Sequence, residues 1–133
     1  MKLLDTTFLI HYWAGTEDAE SYLKANDEAA FITTTLNIKE LAVGVELREG
    51  VDAEDIVPTF EWVDVRAFET EHALIAGELE AELHRDEDVN RDKINALAAD
   101  LLIAAVAREA GATVVTRNIE DFRRFEGLDV EAY

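Results

Sequence analysis

The sequence predicts an α/β fold, a short and mainly parallel central sheet covered by helices on both faces. Three observations carry that prediction. Short apolar, β-branched runs alternate with helical stretches, the pattern of consecutive βαβ units. The chain has 133 residues and is 49% hydrophobic, enough for one core and a single domain over residues 1–133. No Pro/Gly/Ser-rich linker or internal repeat divides it, and its one proline is Pro58.

Taken in order, Lys2-Leu3-Leu4 reads as a short strand ending at Asp5, with helical stretches to about Asn26. Phe31-Ile32-Thr33-Thr34 is aromatic and β-branched, a second strand. Thr35 or Asn37 can cap a helix running to about Glu49, with Gly50 as its stop. Val51 to Phe60 is a short connecting helix, and Trp62-Val63-Asp64-Val65 alternates as a half-exposed strand. Glu69 to Arg85 is amphipathic, with Leu74, Ile75, Leu79 and Leu83 at helical spacing. Arg91 to Ala110 reads as one long helix stopped by Gly111. Thr113 to Thr116 is a buried strand, Ile119 to Phe125 a short helix, and Leu128 to Val130 a last strand. In parallel sheets of this kind, sites form at the carboxyl ends of the strands.

Composition narrows the function. The absence of cysteine excludes disulfides, thiolate metal sites and cysteine nucleophiles. The longest unbroken apolar run, Leu101 to Ala107, falls far short of the ~20 residues of a membrane span. Asp5 and His11 interrupt what would be a signal peptide's apolar region, so a soluble, cytoplasmic protein is expected. The net charge is −18, which argues against a nucleic-acid ligand at ordinary salt. Yet only 4 of the 12 basic residues are Lys, and the 30 acids are dispersed from residue 5 to residue 131. Dispersed acid with scarce lysine reads as a protein kept soluble in concentrated salt, of halophilic source. There the Debye length is ~3 Å or less and net charge says little about partners. The rival is an acidic protein with a basic partner.

Among 30 acids, four stand where the pattern does not want them. Asp100 interrupts an apolar stretch from Ile94 to Ala107, where an unpaired carboxylate is costly. Its bland explanation is a core arginine or a neighbouring helix as partner. Asp5 ends the first strand, where it could equally cap the next helix. Glu40 shares a stripe with Leu36, Val43 and Leu47, and could pair with Lys39. Asp121 follows the strand Thr113–Thr116, and by itself reads as a solvated turn acid. Three of the four lie after strands or at the start of the following helices. Carboxylates converging in one cleft repel each other unless cations neutralise them. Oxygen ligands without cysteine or clustered histidine suit Mg²⁺ or Mn²⁺, which equips a site to hydrolyse a phosphodiester.

The same residues resemble a known family. Leu3-Leu4-Asp5-Thr6-Thr7, Ile38-Lys39-Glu40-Leu41 with Gly44, Asp100-Leu101-Leu102-Ile103-Ala104-Ala105 and Val115-Thr116-Arg117-Asn118-Ile119-Glu120-Asp121-Phe122 arrive in the order and spacing of the PIN domain. The ending Phe125-Glu126-Gly127-Leu128-Asp129-Val130 is similar to the VapC toxin branch. The resemblance covers residues 3 to about 130; each motif is weak alone and the ordered set is specific. It implies a PIN-like α/β/α sandwich and a Mg²⁺- or Mn²⁺-dependent endoribonuclease, the toxin half of a toxin–antitoxin pair. It implies metal-binding acids at Asp5, Glu40 and Asp100 and a more variable fourth at Asp121, with Thr116 and Asn118 supporting the metal and its water. Some relatives carry the fourth acid at the position of Asn118, so either residue completes the site. It also implies a homodimer and a small VapB-like antitoxin whose segment blocks the cleft, often through an arginine.

The expected mechanism has Mg²⁺ held by Asp5, Asp100 and Asp121 polarising the scissile phosphate, with water held by Glu40 or Asp121 attacking in line. RNA is expected over Arg117, Arg123 and Arg124, helped by Arg85 and Arg91; the alternative is solvated helix-terminal charge. His11, His72 and His84 lack ligand spacing and read as ordinary histidines, and Trp13 and Trp62 as core. Two rivals remain: a PIN nuclease of RNA processing without an antitoxin, and a non-catalytic PIN-like scaffold.

Overall fold

Strand β1 (Lys2–Leu4) sends successive side chains to opposite faces, and this sets the layering. In the computed structural model, which describes residues 1–133, Leu3 enters one apolar core and Leu4 the other. The same alternation recurs in β4 (Thr113–Val115), where Val114 joins Leu3 and Val115 joins Leu4. Strands buried on both faces must be apolar throughout, which is why these runs are continuous rather than alternating.

Five strands form one sheet in the order β3-β2-β1-β4-β5, every pair parallel, with β2 at Phe31–Thr34, β3 at Asp64–Arg66 and β5 at Val130–Glu131. On the Leu4 face lie α1 (Thr6–Trp13), α2 (Glu17–Ala25), α3 (Thr35–Glu46) and the short α4 (Ile56–Thr59), filling the core with Phe8, Leu9, Tyr22, Leu41, Val45 and Phe60. On the Leu3 face lie α5 (Thr70–Arg85), α6 (Arg91–Ala96), α7 (Ala98–Ala110) and α8 (Ile119–Phe122). There Ala104, Ala105 and Ala107 are fully buried, small side chains that let α7 lie close to its neighbours. No helix is long and apolar enough to cross a membrane.

The α/β architecture and the parallel sheet are as the sequence predicts. Several boundaries differ for identifiable reasons. The stretch 91–110 is two helices, not one: Leu97 is fully buried and lies between them, its N–H bonded back to the Lys93 and Ile94 carbonyls. Nor is it buried all round, since Asn95, Ala96, Ala98 and Ala99 are exposed. The third strand starts two residues later than its alternation indicates, at Asp64, because Val63 is tied into a turn by its N–H to the Phe60 carbonyl. Helix α3 ends at Glu46, four residues before Gly50, and its cap is Thr34 rather than Thr35. The stripe read through Glu40 is not the buried one. Val43 is 46% and Leu47 82% exposed, whereas Asn37, Leu41 and Val45 face inward. Leu74 is likewise exposed on α5, and Trp62 lies 38% exposed in an aromatic cluster with Tyr12, Phe31 and Phe60.

Candidate active site

From β1 the chain returns through β2 on one side, while β4 pairs on the other, so strand order reverses beside β1. The crevice outside the carboxyl ends of such neighbouring strands is where open α/β sheets bind ligands. Asp5 follows β1 directly, and Thr116 follows β4. Their adjacency is fixed by the register, Leu4 opposite Val115, and by the Asp5 N–H bonded to the Val115 carbonyl.

Asp5 is 5% exposed and stands at the N-cap position of α1, but its side chain makes no cap bond. Its carboxylate instead accepts from Thr116 Oγ1 at 2.7 Å and Asn37 Nδ2 at 3.1 Å. Both donors are neutral. Burial raises its pKa more than the hydrogen bonds from Thr116, the Thr6 backbone and Asn37 lower it.

Asn37 is the hub beneath it, and it is fully buried. Its Oδ1 accepts from the Thr34 N–H at 3.3 Å and from Thr34 Oγ1 at 2.6 Å, completing a capping box at the start of α3. Its Nδ2 reaches Asp5 and, at 2.9 Å, Thr6 Oγ1. Thr6 Oγ1 in turn donates to Glu40 at 3.1 Å. One unbroken network therefore starts at the cap of α3 and branches at Asn37, directly to Asp5 and by way of Thr6 to Glu40. The pKa of Glu40 is raised by desolvation and by the nearby Asp5 charge, against Thr6 and Lys39.

Asp100 stands in the first turn of α7, half-buried rather than fully so, where the helix dipole favours a negative charge. Its one hydrogen bond is from Asn118 Nδ2 at 3.0 Å. Desolvation, followed by the charges of Asp5, Glu40 and Asp121, pushes its pKa up to about 7. Asn118 also ties Asp100 to Asp5, since its N–H bonds to Thr116 Oγ1, which bonds to the Asp5 carboxylate. No arginine pairs with Asp100; of its two ordinary partners the structure supplies the neighbouring helix, through Asn118 at the start of α8.

Asp121 differs from the other three. Lys93 Nζ lies 2.7 Å from its Oδ1, and this contact, with Asn118 and Arg124 nearby, lowers its pKa. Thr116 Oγ1 accepts the Asn118 N–H at 2.9 Å, which turns the Asn118 amide toward Asp100. The fourth corner is thus shared: Asn118 touches Asp100, while Asp121 already has a cation.

The three arginines do not form one patch. Arg117 bonds Asp18 at 2.8 Å and stacks 4.4 Å from the Tyr133 ring centroid, against α2. Arg123 and Arg124 are exposed at the end of α8, beside Leu79, Glu82 and Asp86 of the α5 side. Sequence reasoning missed Thr6 and Lys93 as site residues and read Asn37 only as a cap. The spacing Thr34-x-x-Asn37 was the available signal for the network.

A carboxylate–histidine grouping, Glu71, His72 and Glu109, lies elsewhere, between α5 and α7. Here His72 Nδ1 accepts the Glu69 N–H at 2.8 Å, so neutral imidazole carries its proton on Nε2, directed at Glu109 3.2 Å away. A cation on Nε2 requires that proton to leave. His72 serves instead in the capping box of α5, with Glu69.

The cleft fits a divalent cation on its donor chemistry. Asp5, Glu40 and Asp100 are linked through one hydrogen-bond network, and the side chains bonded to them are hydroxyls and amides with no compensating charge. Oxygen donors alone select a hard cation.

The PIN domain family matches residues 2–128, so the chain belongs to the PIN domain family. Its fold is shared with solved toxin–antitoxin structures. VapBC2 of Rickettsia felis, bound to a promoter DNA fragment, superposes with a TM-score of 0.80 at 22% identity, over 99% of this chain and 98% of that one. DNA-bound VapBC of Salmonella typhimurium gives 0.76 at 25% identity, over 98% and 96%. The Mycobacterium tuberculosis toxin VapC20, which cleaves the sarcin–ricin loop, gives 0.61 at 18% identity, over 97% and 99%. No curated protein matches this chain in sequence.

Proposed function

We propose that this chain, a single PIN domain over residues 1–133, is a VapC-type toxin, an endoribonuclease dependent on Mg²⁺ or Mn²⁺. One observation carries the reading: three carboxylates share one hydrogen-bond network at the carboxyl edge of the sheet, with only neutral donors bonded to them. Asp5 and Asp100 would hold the cation, with Asn118 and Asp121 at its fourth corner. When bound, a divalent ion lowers the pKa of its water and stabilises negative charge on a phosphoryl group. Thr116 and Asn37 hold the Asp5 carboxylate in one orientation, and Asn118 does the same for Asp100. Glu40, with its raised pKa and its hydrogen bond from Thr6, accepts the proton of the attacking water. The P–O bond to the leaving oxygen breaks as the water oxygen bonds to phosphorus, opposite it, and the leaving oxygen takes up a proton from solvent water.

The likeness to VapBC structures supports a VapB-like antitoxin as partner; the homodimer rests on the family resemblance alone. The exposed Arg123 and Arg124, with Arg117, would meet the RNA backbone. The dispersed −18 fits a cytoplasm of high salt, where the repulsion of RNA is screened. Purified protein incubated with an RNA panel and Mg²⁺ or Mn²⁺, at low and high salt, tests this. Cleavage should fall more than about 100-fold in Asp100→Asn. Equal cleavage by wild type and variant, or none by either under every condition, sinks the nuclease reading.

A further inference from the structure

Of the four acids in the cleft, Asp121 alone touches a cation, and that cation comes from an element the acids' own motifs do not include. Lys93 sits on α6, held there by the Asn90 side chain, whose Oδ1 accepts the Lys93 N–H at 2.8 Å. Its side chain crosses to α8, where Nζ lies 2.7 Å from Asp121 Oδ1. The break at Leu97 sets α6 and α7 apart, so Lys93 and Asp100 belong to separate helices flanking one cleft. The Lys93 side chain is 34% exposed, and Asn95, Ala96, Ala98 and Ala99 beside it are exposed and short.

We propose that Lys93 is a substrate-positioning residue that binds a phosphate of the RNA strand at the rim of the cleft. The proposal rests on the ribonuclease reading above and names a contact that reading does not contain. An ammonium has three donors, and Asp121 uses one of them. The others are free to meet a non-bridging phosphate oxygen entering over the short residues of the α6–α7 junction. A strand approaching Asp5, Glu40 and Asp100 is repelled by all three, so a cation at their edge has the largest effect on where it settles. Asp121 in turn keeps the flexible lysine chain at that edge, a role separate from metal binding.

The test compares wild type, Lys93→Met and Lys93→Arg, each as the full chain. Binding of a short single-stranded RNA is measured in Ca²⁺ across a salt series, and cleavage kinetics in Mg²⁺ or Mn²⁺. Lys93→Met should weaken RNA binding about tenfold and reduce the slope of log K against log salt by about 0.7, the loss of one phosphate contact. KM should rise more than kcat falls, and Lys93→Arg should restore most of the binding. Thermal unfolding of each variant separates these effects from misfolding. A Lys93→Met protein that loses stability while its RNA affinity and salt slope match wild type overturns the positioning role. If wild type binds and cleaves RNA but Lys93→Met does both equally well, this proposal alone fails. If wild type does neither, the ribonuclease reading fails and takes this one with it.

Discussion

Asp100 and Glu131 are both half-buried carboxylates near the central sheet, and their environments drive them in opposite directions. Glu131 on β5 accepts from Lys2 Nζ at 2.8 Å and from the Tyr22 hydroxyl, and its pKa is lowered, first by Lys2. Asp100 has one amide donor and three acidic neighbours, and its pKa is raised to about 7. Glu131 is a finished structural contact, a carboxylate with its cation supplied from β1. Asp100, Asp5 and Glu40 have no such internal cation, and their charged forms would be stabilised by one arriving from outside. Having an internal counter-ion is therefore what separates the two regions.

The largest expected effect comes from the network that holds the unfinished site together. Asn37→Ala strands Asp5, Thr6 and Thr34 in the interior, and should cost about 3 kcal/mol by denaturant unfolding. A loss under 1 kcal/mol would mean that the polar network does not hold the site. Next is the missing cation. At a concentration a hundredfold above its dissociation constant, Mg²⁺ or Mn²⁺ should stabilise the protein by about 2.7 kcal/mol, roughly 10 °C in Tm. Asp5→Asn should abolish most of that shift, whereas Glu131→Gln should retain it. An equal metal shift in both variants erases the distinction between the regions.

Removing the finished contact is expected to do less. Glu131→Gln breaks a partly exposed ion pair, and should cost about 1 kcal/mol at pH 7. Its sign with pH follows from the lowered pKa: the stability is present above the ordinary glutamate value and is lost as pH falls through the folded one. Asp100 must show the reverse. Between its ordinary value and about 7 the folded protein holds a proton that the unfolded chain has released. Its contribution to metal-free stability therefore declines as pH rises through that window. With chelator present, Tm measured from pH 5 to pH 8 should fall more in wild type than in Asp100→Asn. Parallel pH profiles would show that Asp100 is not under the strain its neighbours impose.

Much of this was legible in the amino-acid order. Short apolar strands between amphipathic helices determine a parallel, doubly covered sheet, because such runs have no other way to bury both faces. Asp5, Glu40, Asp100 and Asp121 stand out because a carboxylate that interrupts an apolar pattern needs a partner. The partner itself was not legible. Helical periodicity made Glu40 interrupt a buried stripe, yet Val43 and Leu47 of that stripe are exposed, and Glu40 is tied to the site by Thr6 across a gap of 34 residues. Likewise Asn95, Ala96, Ala98 and Ala99 read as interior because small residues carry little polarity signal, while in the fold they are exposed on either side of the buried Leu97. Local sequence determined which residues were chemically out of place. The Leu4–Val115 register and the turn at Leu97 decided which of them meet, and which, like Asp121 beside Lys93, already have a counter-charge. A charge's cost depends on its neighbours through space, and only the packed chain supplies those.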